Sequence, residues 1–253
     1  MISEMSVYCH STDYRLRTAD MDFKDELKLS ALLSLTQESA CLSADELGFG
    51  YDDLRPKKMG FIIVNTYCEL YRPIRYGKSD ITVETWPRPP RHVIFERAYR
   101  VKCEGELMAA LTSRWCLVDL NNFSLLTPDK LGKAHTDCPY NPQQVLDVSN
   151  WKIPKIGEDG KEVARVTVKN SLCDHYFHAN NARYADLFFD CFTMDELAAR
   201  PVKSFQITYG KQAKEDCEVR LIRKDYEDGV SRCEAYADTE LLSQFSVRFG
   251  DSK

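Results

Sequence analysis

The residues best equipped for chemistry lie together in one stretch, 173–184, with the sequence CDHYFHANNARY. It holds a carboxylate, Asp174, two imidazoles including that of His178, and two carboxamides, Asn180 and Asn181. Apolar residues recur at helical spacing directly afterwards, which predicts a helix buried along one side. Asn180 or Asn181 is suited to cap this helix, whose first backbone N–H groups then point at whatever lies in front of them. The arrangement suits the attack of water on an acyl carbonyl.

The composition argues against several classes of protein. With 253 residues and 43% hydrophobic content, the chain can form one large domain or two small ones. Its net charge of −5 argues against a nucleic-acid-binding protein. No apolar run approaches the roughly 18 residues of a membrane span, and residues 1–20 lack a signal-peptide pattern. The 10 cysteines include no C-x-x-C pair, which favours free thiols in a cytoplasmic protein without a structural zinc ion. We predict neither a metal nor a cofactor.

The elements that must position the stretch 173–184 recur in the same order in both halves of the chain. In the first half we predict a strand at residues 6–17 and a helix that begins near Leu29. A meander of four strands follows, at residues 61–71, 81–86, 92–102 and 107–120. In the second half we predict a strand at residues 163–172 and a helix that runs to about Leu197, before Pro201. Four more strands follow, at residues 205–211, 218–224, 231–238 and 241–249. Asp228-Gly229 is a hairpin signal. The intervening residues have little periodicity.

A sheet with one apolar face must bury that face, and the helix is its only partner in each half. We therefore predict an α+β protein of the tandem (double) hotdog type, in which each unit is an antiparallel β-sheet wrapped around a long central helix. The predicted divisions are an N-terminal hotdog unit at 1–126, a linker at 127–162 and a C-terminal hotdog unit at 163–253 that carries the stretch with Asp174.

The sequence resembles the acyl-acyl carrier protein thioesterases over most of its length. The first half is similar to the family's opening unit at residues 32–38, 80–86 and 112–115. The second half carries a version of the signature D-x-N-x-H-V-N-N-x-x-Y, matched by Asp174, His178, Asn180, Asn181 and Tyr184. The resemblance implies hydrolysis of a fatty acyl thioester on acyl carrier protein, with release of free fatty acid.

The resemblance also implies roles for particular residues. In the family an Asp, an Asn and a His of the signature act with an acidic residue further along. Asp174 and His178 match directly, whereas Tyr176 stands at the Asn position and Gln212 aligns with the acid. Asp174 is the candidate base, or the attacking carboxylate of an anhydride route. His178 orients water, polarises the carbonyl or protonates the leaving thiolate, and Gln212 can hold water but cannot act as a base.

Substrate binding is predicted in both halves. By position in the family and by apolar character, the acyl chain is lined by Met59, Phe61, Ile63 and Trp115, although the same residues also suit an ordinary core. Asn180 and Asn181 mainly organise the backbone and contact substrate secondarily. Basic residues in the first half form either a solvated rim or a docking surface for an acidic carrier or a phosphate-bearing arm; they are Arg55, Lys57, Lys58, Arg72, Arg75, Lys78, Arg88 and Arg91.

Two alternatives to the carrier-protein thioesterase stay open. One is an acyl-CoA thioesterase, because the basic residues serve the CoA phosphates equally well. The other is a non-catalytic acyl-binding hotdog protein, motivated by Tyr176 and Gln212 at two of the family's four polar positions. A homodimer through exposed sheet edges is also expected.

Overall fold

A computed structural model describes residues 7–77 and 80–250. Three residues of the predictions lie outside the described residues: Ser6 at the start of the predicted first strand, Lys78 of the basic residues, and Ser79, which with Lys78 belongs to a turn predicted at 76–80. The strands are β1 (His10–Tyr14), β2 (Met59–Leu70), β3 (Ile81–Pro87), β4 (Ile94–Cys103), β5 (Glu106–Asp119), β6 (Leu125–Leu126), β7 (Lys161–Thr167), β8 (Val202–Tyr209), β9 (Glu218–Asp225), β10 (Val230–Ala237) and β11 (Glu240–Phe249). The α-helices are α1 (Leu29–Glu46), α2 (Tyr51–Leu54), α3 (Lys133–Thr136), α4 (Arg183–Phe189) and α5 (Met194–Ala199).

The chain divides into two compact units that do not follow one another in sequence. Unit 1 comprises residues 1–16, 35–64 and 77–147, and unit 2 comprises residues 17–34, 65–76 and 148–253. Helix α1 and strand β2 each contribute residues to both units. No helix in the described part of the chain is long and apolar enough to cross a membrane, and all ten cysteines are free thiols.

Unit 1 contains the strand order β1-β3-β4-β5-β2, with β6 beside β5. Strand β4 shows how its two faces differ, because successive side chains of a strand point to opposite sides. Glu96, Arg100 and Lys102 share one face and form ion pairs there. Tyr99 and Val101 share the opposite face and are 2% and 0% exposed, so this face belongs to the core of the unit.

Unit 2 contains the order β2-β8-β11-β10-β9-β7. Its core is aromatic where α4 packs on β11. The Phe188 ring stacks on Phe245 with 5.2 Å between centroids, and Phe192 meets Phe249 edge-on at 5.4 Å. The predicted buried stripe of the second helix is therefore confirmed, since its members are all at least nine-tenths buried: Tyr184, Leu187, Phe188, Cys191 and Phe192.

The second helix is shorter than predicted. Instead of running to Leu197, the chain ends α4 at Phe189 and starts α5 at Met194. Thr193 begins α5 with a capping box, in which its Oγ1 accepts the Glu196 amide and Glu196 accepts the Thr193 amide at 2.7 Å. The Arg223 guanidinium donates to the Cys191 carbonyl at 2.9 Å. Two local interactions thus fix the break.

The predicted linker, 127–162, is packed against its surroundings rather than free. In unit 1 the Trp86 indole donates to the Gln143 carbonyl at 3.0 Å. In unit 2 the Gln206 amide donates to the Trp151 carbonyl at 2.7 Å. Irregular backbone is therefore held by side chains that extend from the strands.

Candidate active site

The stretch that contains Asp174 folds into a tight hairpin, which we call the second hairpin (residues 174–178). The Asp174 amide donates to the His178 carbonyl and the Phe177 amide to the Asp174 carbonyl, both at 3.0 Å. Cys173 and Ala179 form an antiparallel bridge at its base. Phe177 has a φ of 65°, in the left-handed region that side chains other than glycine rarely adopt. The hairpin brings the two predicted catalytic residues to facing positions.

The Asp174 carboxylate helps to build this hairpin. Its Oδ1 accepts the Tyr176 amide at 2.9 Å, which is an Asx turn, and its Oδ2 lies 3.4 Å from Asn180 Nδ2. No ion pair engages Asp174 within residues 7–77 and 80–250. Each carboxylate oxygen retains acceptor capacity, because an ionised carboxylate offers about four lone-pair positions.

The start of α4 differs from the prediction. The residue at the cap position is Ala182, whose backbone is already helical, and no side chain caps the helix there. The Asn180 side chain acts one step earlier, where its Oδ1 accepts the Ala182 amide at 2.9 Å. The amides of Arg183 and Tyr184 donate to the carbonyls of Asn180 and Asn181, at 2.9 and 3.3 Å. The first amides of α4 therefore have local acceptors.

His178 lies opposite a basic residue of a neighbouring loop. Its backbone forms an antiparallel bridge with Lys214, and the adjacent Ala179 amide donates to the Ala213 carbonyl at 2.8 Å. Burial lowers the pKa of His178 below 6.5, the negative charge of Asp174 raises it, and the positive charge of Lys214 lowers it further. The balance is downward, so the imidazole is neutral at neutral pH.

Gln212 lies on the same loop but not in a strand. Strand β8 ends at Tyr209, and Gln212 follows in irregular backbone with an exposed side chain, so the predicted extension of this strand to Lys211 and beyond is wrong. His178 pairs with Lys214 and the Ala179 amide donates to the Ala213 carbonyl, so the antiparallel register continues to Gln212 opposite Asn180, two residues beyond His178. Gln212, the residue predicted to stand at the family's acidic position, therefore lies on a loop next to the second hairpin.

The tip of the second hairpin is aromatic and exposed. Phe177 is 83% exposed and Tyr176 is 41% exposed. The Tyr176 ring lies against that of His175, with 4.1 Å between centroids. Tyr176 therefore contributes its amide to the Asp174 turn, while its phenol extends along the surface of the hairpin.

Two of the predicted acyl-lining residues lie in an apolar cluster of unit 1. Met59 is 9% exposed and packs with Phe49, Leu54, Leu117 and Leu131, and Phe61 packs against the same cluster. The Phe61 ring meets Phe49 and Phe95 edge-on, at 6.1 and 5.0 Å between centroids.

The other two predicted lining residues are half-buried. Ile63 lies on β2, and Trp115 lies on β5, where its indole donates to Ser113 Oγ at 2.7 Å. The Ser113 hydroxyl also bonds Tyr99 at 3.0 Å. Polar side chains therefore reach the interior of unit 1 close to these two residues.

Among the predicted basic residues, Arg75 forms an ion pair with Glu26 at 3.4 Å and Arg88 forms one with Glu96 at 2.6 Å.

The first half of the chain contains a counterpart of this hairpin that was not predicted, and we call it the first hairpin (residues 22–26). The Asp22 amide donates to the Glu26 carbonyl at 2.8 Å, the Asp25 amide donates to the Asp22 carbonyl at 3.1 Å, and Asp25 has a φ of 57°. The spacing of Asp22 from Glu26 equals that of Asp174 from His178, which was the available signal. Within the described residues, no group of three or more His, Cys, Asp or Glu side chains is placed to hold a metal ion.

The chain matches two family models, described as the acyl-ACP thioesterase N-terminal domain over residues 7–126 and the acyl-ACP thioesterase C-terminal domain over residues 157–251. A search of curated proteins found no match. Among solved structures, an acyl-ACP thioesterase from Bacteroides thetaiotaomicron is 19% identical, with a TM-score of 0.85, covering 96% of this chain and 98% of that one. A 12:0-ACP thioesterase from Umbellularia californica is 16% identical, with a TM-score of 0.86, covering 97% of this chain and 98% of that one. At these identities the structures show a shared fold. On the two family matches, the chain belongs to the acyl-ACP thioesterases and is a thioester hydrolase.

Proposed function

We propose that the chain hydrolyses the thioester of fatty acyl-acyl carrier protein to release free fatty acid, as a step of fatty acid biosynthesis. The observation that carries the proposal is the second hairpin, in which an Asp174 carboxylate without an ion pair among the described residues faces a neutral His178. Membership of the thioesterase family supports the reaction class, and the Umbellularia protein, described as acting on a 12:0-ACP, supports the carrier-bound substrate.

In the proposed reaction Asp174 is the general base. Water bound to its carboxylate loses a proton to it as the water oxygen attacks the carbonyl carbon. The tetrahedral intermediate then breaks its C–S bond and releases a thiolate, which takes up a proton. A positioned base contributes about 10²- to 10⁴-fold to such a step. In the second route the Asp174 carboxylate attacks the carbonyl carbon, the C–S bond breaks with release of the thiolate, and water hydrolyses the resulting anhydride to free Asp174 and the fatty acid.

The other predicted site residues have supporting roles. Neutral His178 orients the water or the carbonyl by hydrogen bonding, and its lowered pKa supports this uncharged role. Gln212, on the loop alongside, holds the water as a neutral partner, and Tyr176 donates through its phenol or narrows the entrance. Asn180 fixes the Asp174 carboxylate and the start of α4, and Asn181 contacts the substrate secondarily.

The proposed oxyanion donors are backbone amides at the start of α4. The amides of Ala182, Arg183 and Tyr184 already have local acceptors, so they serve only as shared donors. Their contribution is therefore smaller than the roughly 3 kcal/mol typical of a dedicated oxyanion donor.

The wider features of the proposal follow from the sequence. The sequence divides into two hotdog-type halves, 1–126 and 163–253, with 127–162 between them, and the fold shared with the Bacteroides protein supports the hotdog architecture. The compact units cross these divisions, because residues 17–34 and 65–76 belong to unit 2. The acyl chain is lined by Met59, Phe61, Ile63 and Trp115. The protein acts in the cytoplasm without a cofactor, and a homodimer is a further prediction from the sequence.

The test is the release of free thiol from acyl-carrier-protein substrates of graded chain length, with matched CoA thioesters beside them. Wild type is compared with Asp174→Asn, which keeps an oxygen to accept the Tyr176 amide and so preserves the turn. Asp22→Asn in the first hairpin is the matched control. We expect chain-length-dependent turnover that falls about 10²- to 10⁴-fold in Asp174→Asn and stays near wild type in Asp22→Asn.

Three outcomes would change the proposal. Unreduced activity in Asp174→Asn would mean that another group is the base. Faster turnover of CoA thioesters than of carrier-protein thioesters would identify an acyl-CoA thioesterase. Stoichiometric acyl binding without turnover of any substrate would identify a binding protein.

A further inference from the structure

Unit 1 contains an arginine on the buried face of its sheet. Arg97 lies on β4 on the same face as Tyr99 and Val101, and it is only 6% exposed. Its Nη1 donates to Ser43 Oγ at 2.9 Å and to Thr85 Oγ1 at 3.3 Å. Both acceptors are neutral hydroxyl groups. Within residues 7–77 and 80–250, no acceptor engages its Nε or Nη2.

The titratable groups around Arg97 do not supply a negative charge. Those that interact with it electrostatically are two tyrosines and two cysteines, namely Tyr8, Tyr99, Cys41 and Cys138. Burial raises the pKa of Tyr8 to about 12 and that of Cys138 to about 11. The pKa values of Tyr99 and Cys41 are raised as well, again mainly by burial. All four groups are uncharged at neutral pH, and no described carboxylate forms an ion pair with Arg97. The Glu46 carboxylate is reached only indirectly, because Ser43 Oγ bonds the Tyr8 hydroxyl, which donates to Glu46 at 2.8 Å.

The opposite face of the same sheet is different. Arg100 pairs with Glu84 at 3.4 Å, and Arg114 pairs with Glu96 at 2.9 Å. Both arginines are more exposed than Arg97, and water would have screened them without a partner. The two more exposed arginines thus form ion pairs with carboxylates, whereas the buried Arg97 forms none within the described residues. A buried charge is normally paired, because burial without a partner is costly.

Apolar side chains lie beside Arg97. Phe95 is two positions earlier on β4 and belongs to the apolar cluster that includes Phe61. Cys138 belongs to the same cluster and is also one of the groups that interact with Arg97. The guanidinium therefore lies at the edge of an apolar cluster. A ligand that fits both must have an acid group joined to an aliphatic chain.

We propose that Arg97 binds the carboxylate of an aliphatic acid in the interior of unit 1. The planar guanidinium matches a carboxylate with two parallel N–H···O bonds, which its Nε and Nη2 edge is able to provide. The acid has two possible sources: a free fatty acid, or the far end of an acyl chain that carries a terminal carboxyl group. The second source rests on the proposed thioesterase function, whereas the first does not.

The first arm of the test measures binding of a medium-chain fatty acid and of its methyl ester by calorimetry. We expect wild type to bind the acid at least about tenfold more tightly than the ester, and Arg97→Met to lose this difference. Arg100→Met, on the same strand but the opposite face, is the matched control and should keep it. Equal affinity of wild type for acid and ester would overturn this source, and that comparison needs no variant to fold.

The second arm measures turnover of two carrier-protein thioesters of equal length, one ending in a carboxylate and one in its methyl ester. If the ligand is the far end of an acyl chain, wild type prefers the carboxylate about tenfold in kcat/KM and Arg97→Met does not. Turnover of both thioesters without preference would overturn this source and leave the proposed function intact. No turnover of either thioester, or of plain acyl thioesters, would overturn the proposed function, while the binding arm still decides on free acid. The proposal as a whole fails if neither arm shows a preference for the carboxylate.

Discussion

The two hairpins have the same backbone and opposite chemistry. Each starts with an aspartate whose amide donates to the carbonyl four residues on, at 2.8 Å in the first hairpin and 3.0 Å in the second. The last residue of each forms an antiparallel bridge with a basic residue, Glu26 with Arg75 and His178 with Lys214. A short 3₁₀ turn precedes both. The scaffold is therefore repeated even where the side chains are not.

The charges separate the two copies. In the first hairpin Asp22 Oδ1 accepts the amides of Lys24 and Glu26, and the Lys24 ammonium lies 2.9 Å from the Glu26 carboxylate. Arg75 adds a further ion pair to Glu26 at 3.4 Å. In the second hairpin the corresponding partner of the aspartate is a neutral imidazole. A carboxylate in the first copy is thus compensated by cations, whereas Asp174 forms no ion pair within the described residues.

The largest expected effect comes from making the second hairpin like the first. His178→Glu places a second carboxylate beside Asp174 and removes the imidazole, and like charges disfavour the ionised base. We expect kcat/KM to fall by at least about 100-fold while the hairpin still folds, as followed by thiol release and thermal unfolding. Glu26→His is the reciprocal control and should leave activity near wild type. Similar losses in both variants would mean that the hairpins do not differ in role.

A smaller effect concerns the backbone conformation of the fourth residue of each hairpin, Asp25 in the first and Phe177 in the second. Phe177 holds a φ of 65°, which costs a phenylalanine about 1–2 kcal/mol that glycine does not lose. We expect Phe177→Gly to raise the free energy of unfolding by up to about 1 kcal/mol after the entropy that glycine costs, measured by urea denaturation. Asp25→Gly should gain less, because aspartate tolerates this conformation. A loss of stability in Phe177→Gly would show that the exposed ring has a packing role.

The smallest effect is a titration. Because the positive charge of Lys214 lowers the pKa of His178, Lys214→Gln should raise that pKa, and Asp174→Asn should lower it. NMR titration of the imidazole measures both, with Lys211→Gln as a control on the same loop. If catalysis requires neutral His178, the acid limb of kcat/KM moves to higher pH in Lys214→Gln. An unchanged pKa in both variants would contradict the proximity of these charges.

Most elements could be predicted from the sequence, because strands with one buried face leave a period of two. Strands β3, β9, β10 and β11 begin and end within about two residues of the predicted positions. The length of the second helix could not be obtained from its apolar stripe, because the stripe continues through the break to Phe192. The capping box of Thr193 and Glu196 was the sequence signal for a new helix start.

For the candidate site, the sequence predicts a set of residues but not their geometry. The spacing of Asp174 and His178 indicated that they act together, and the hairpin brings their backbones face to face. An aspartate shortly before a helix suits a turn as well as a cap, so the sequence alone does not decide that the Asp174 carboxylate makes an Asx turn. The position of Arg97 could be read from the sequence. It is two residues from Phe95 and so lies on the same face of β4, whereas the charged residues of β4 that form ion pairs lie on the opposite face.

Because each compact unit is built from three separate stretches of sequence, cutting the gene in two would not give two complete units. A fragment that begins after residue 147 would lack residues 17–34 and 65–76, which belong to unit 2 and include the first hairpin. Expression of either half alone would thus leave a unit missing part of its own sequence. Recombination between homologous genes would meet the same constraint. A crossover within segment 127–162 joins the first part of both units from one parent to the remainder of both units from the other. We therefore expect folded chimaeras only from parents whose α1 and β2, which contribute to both units, pack equally well with either partner sequence.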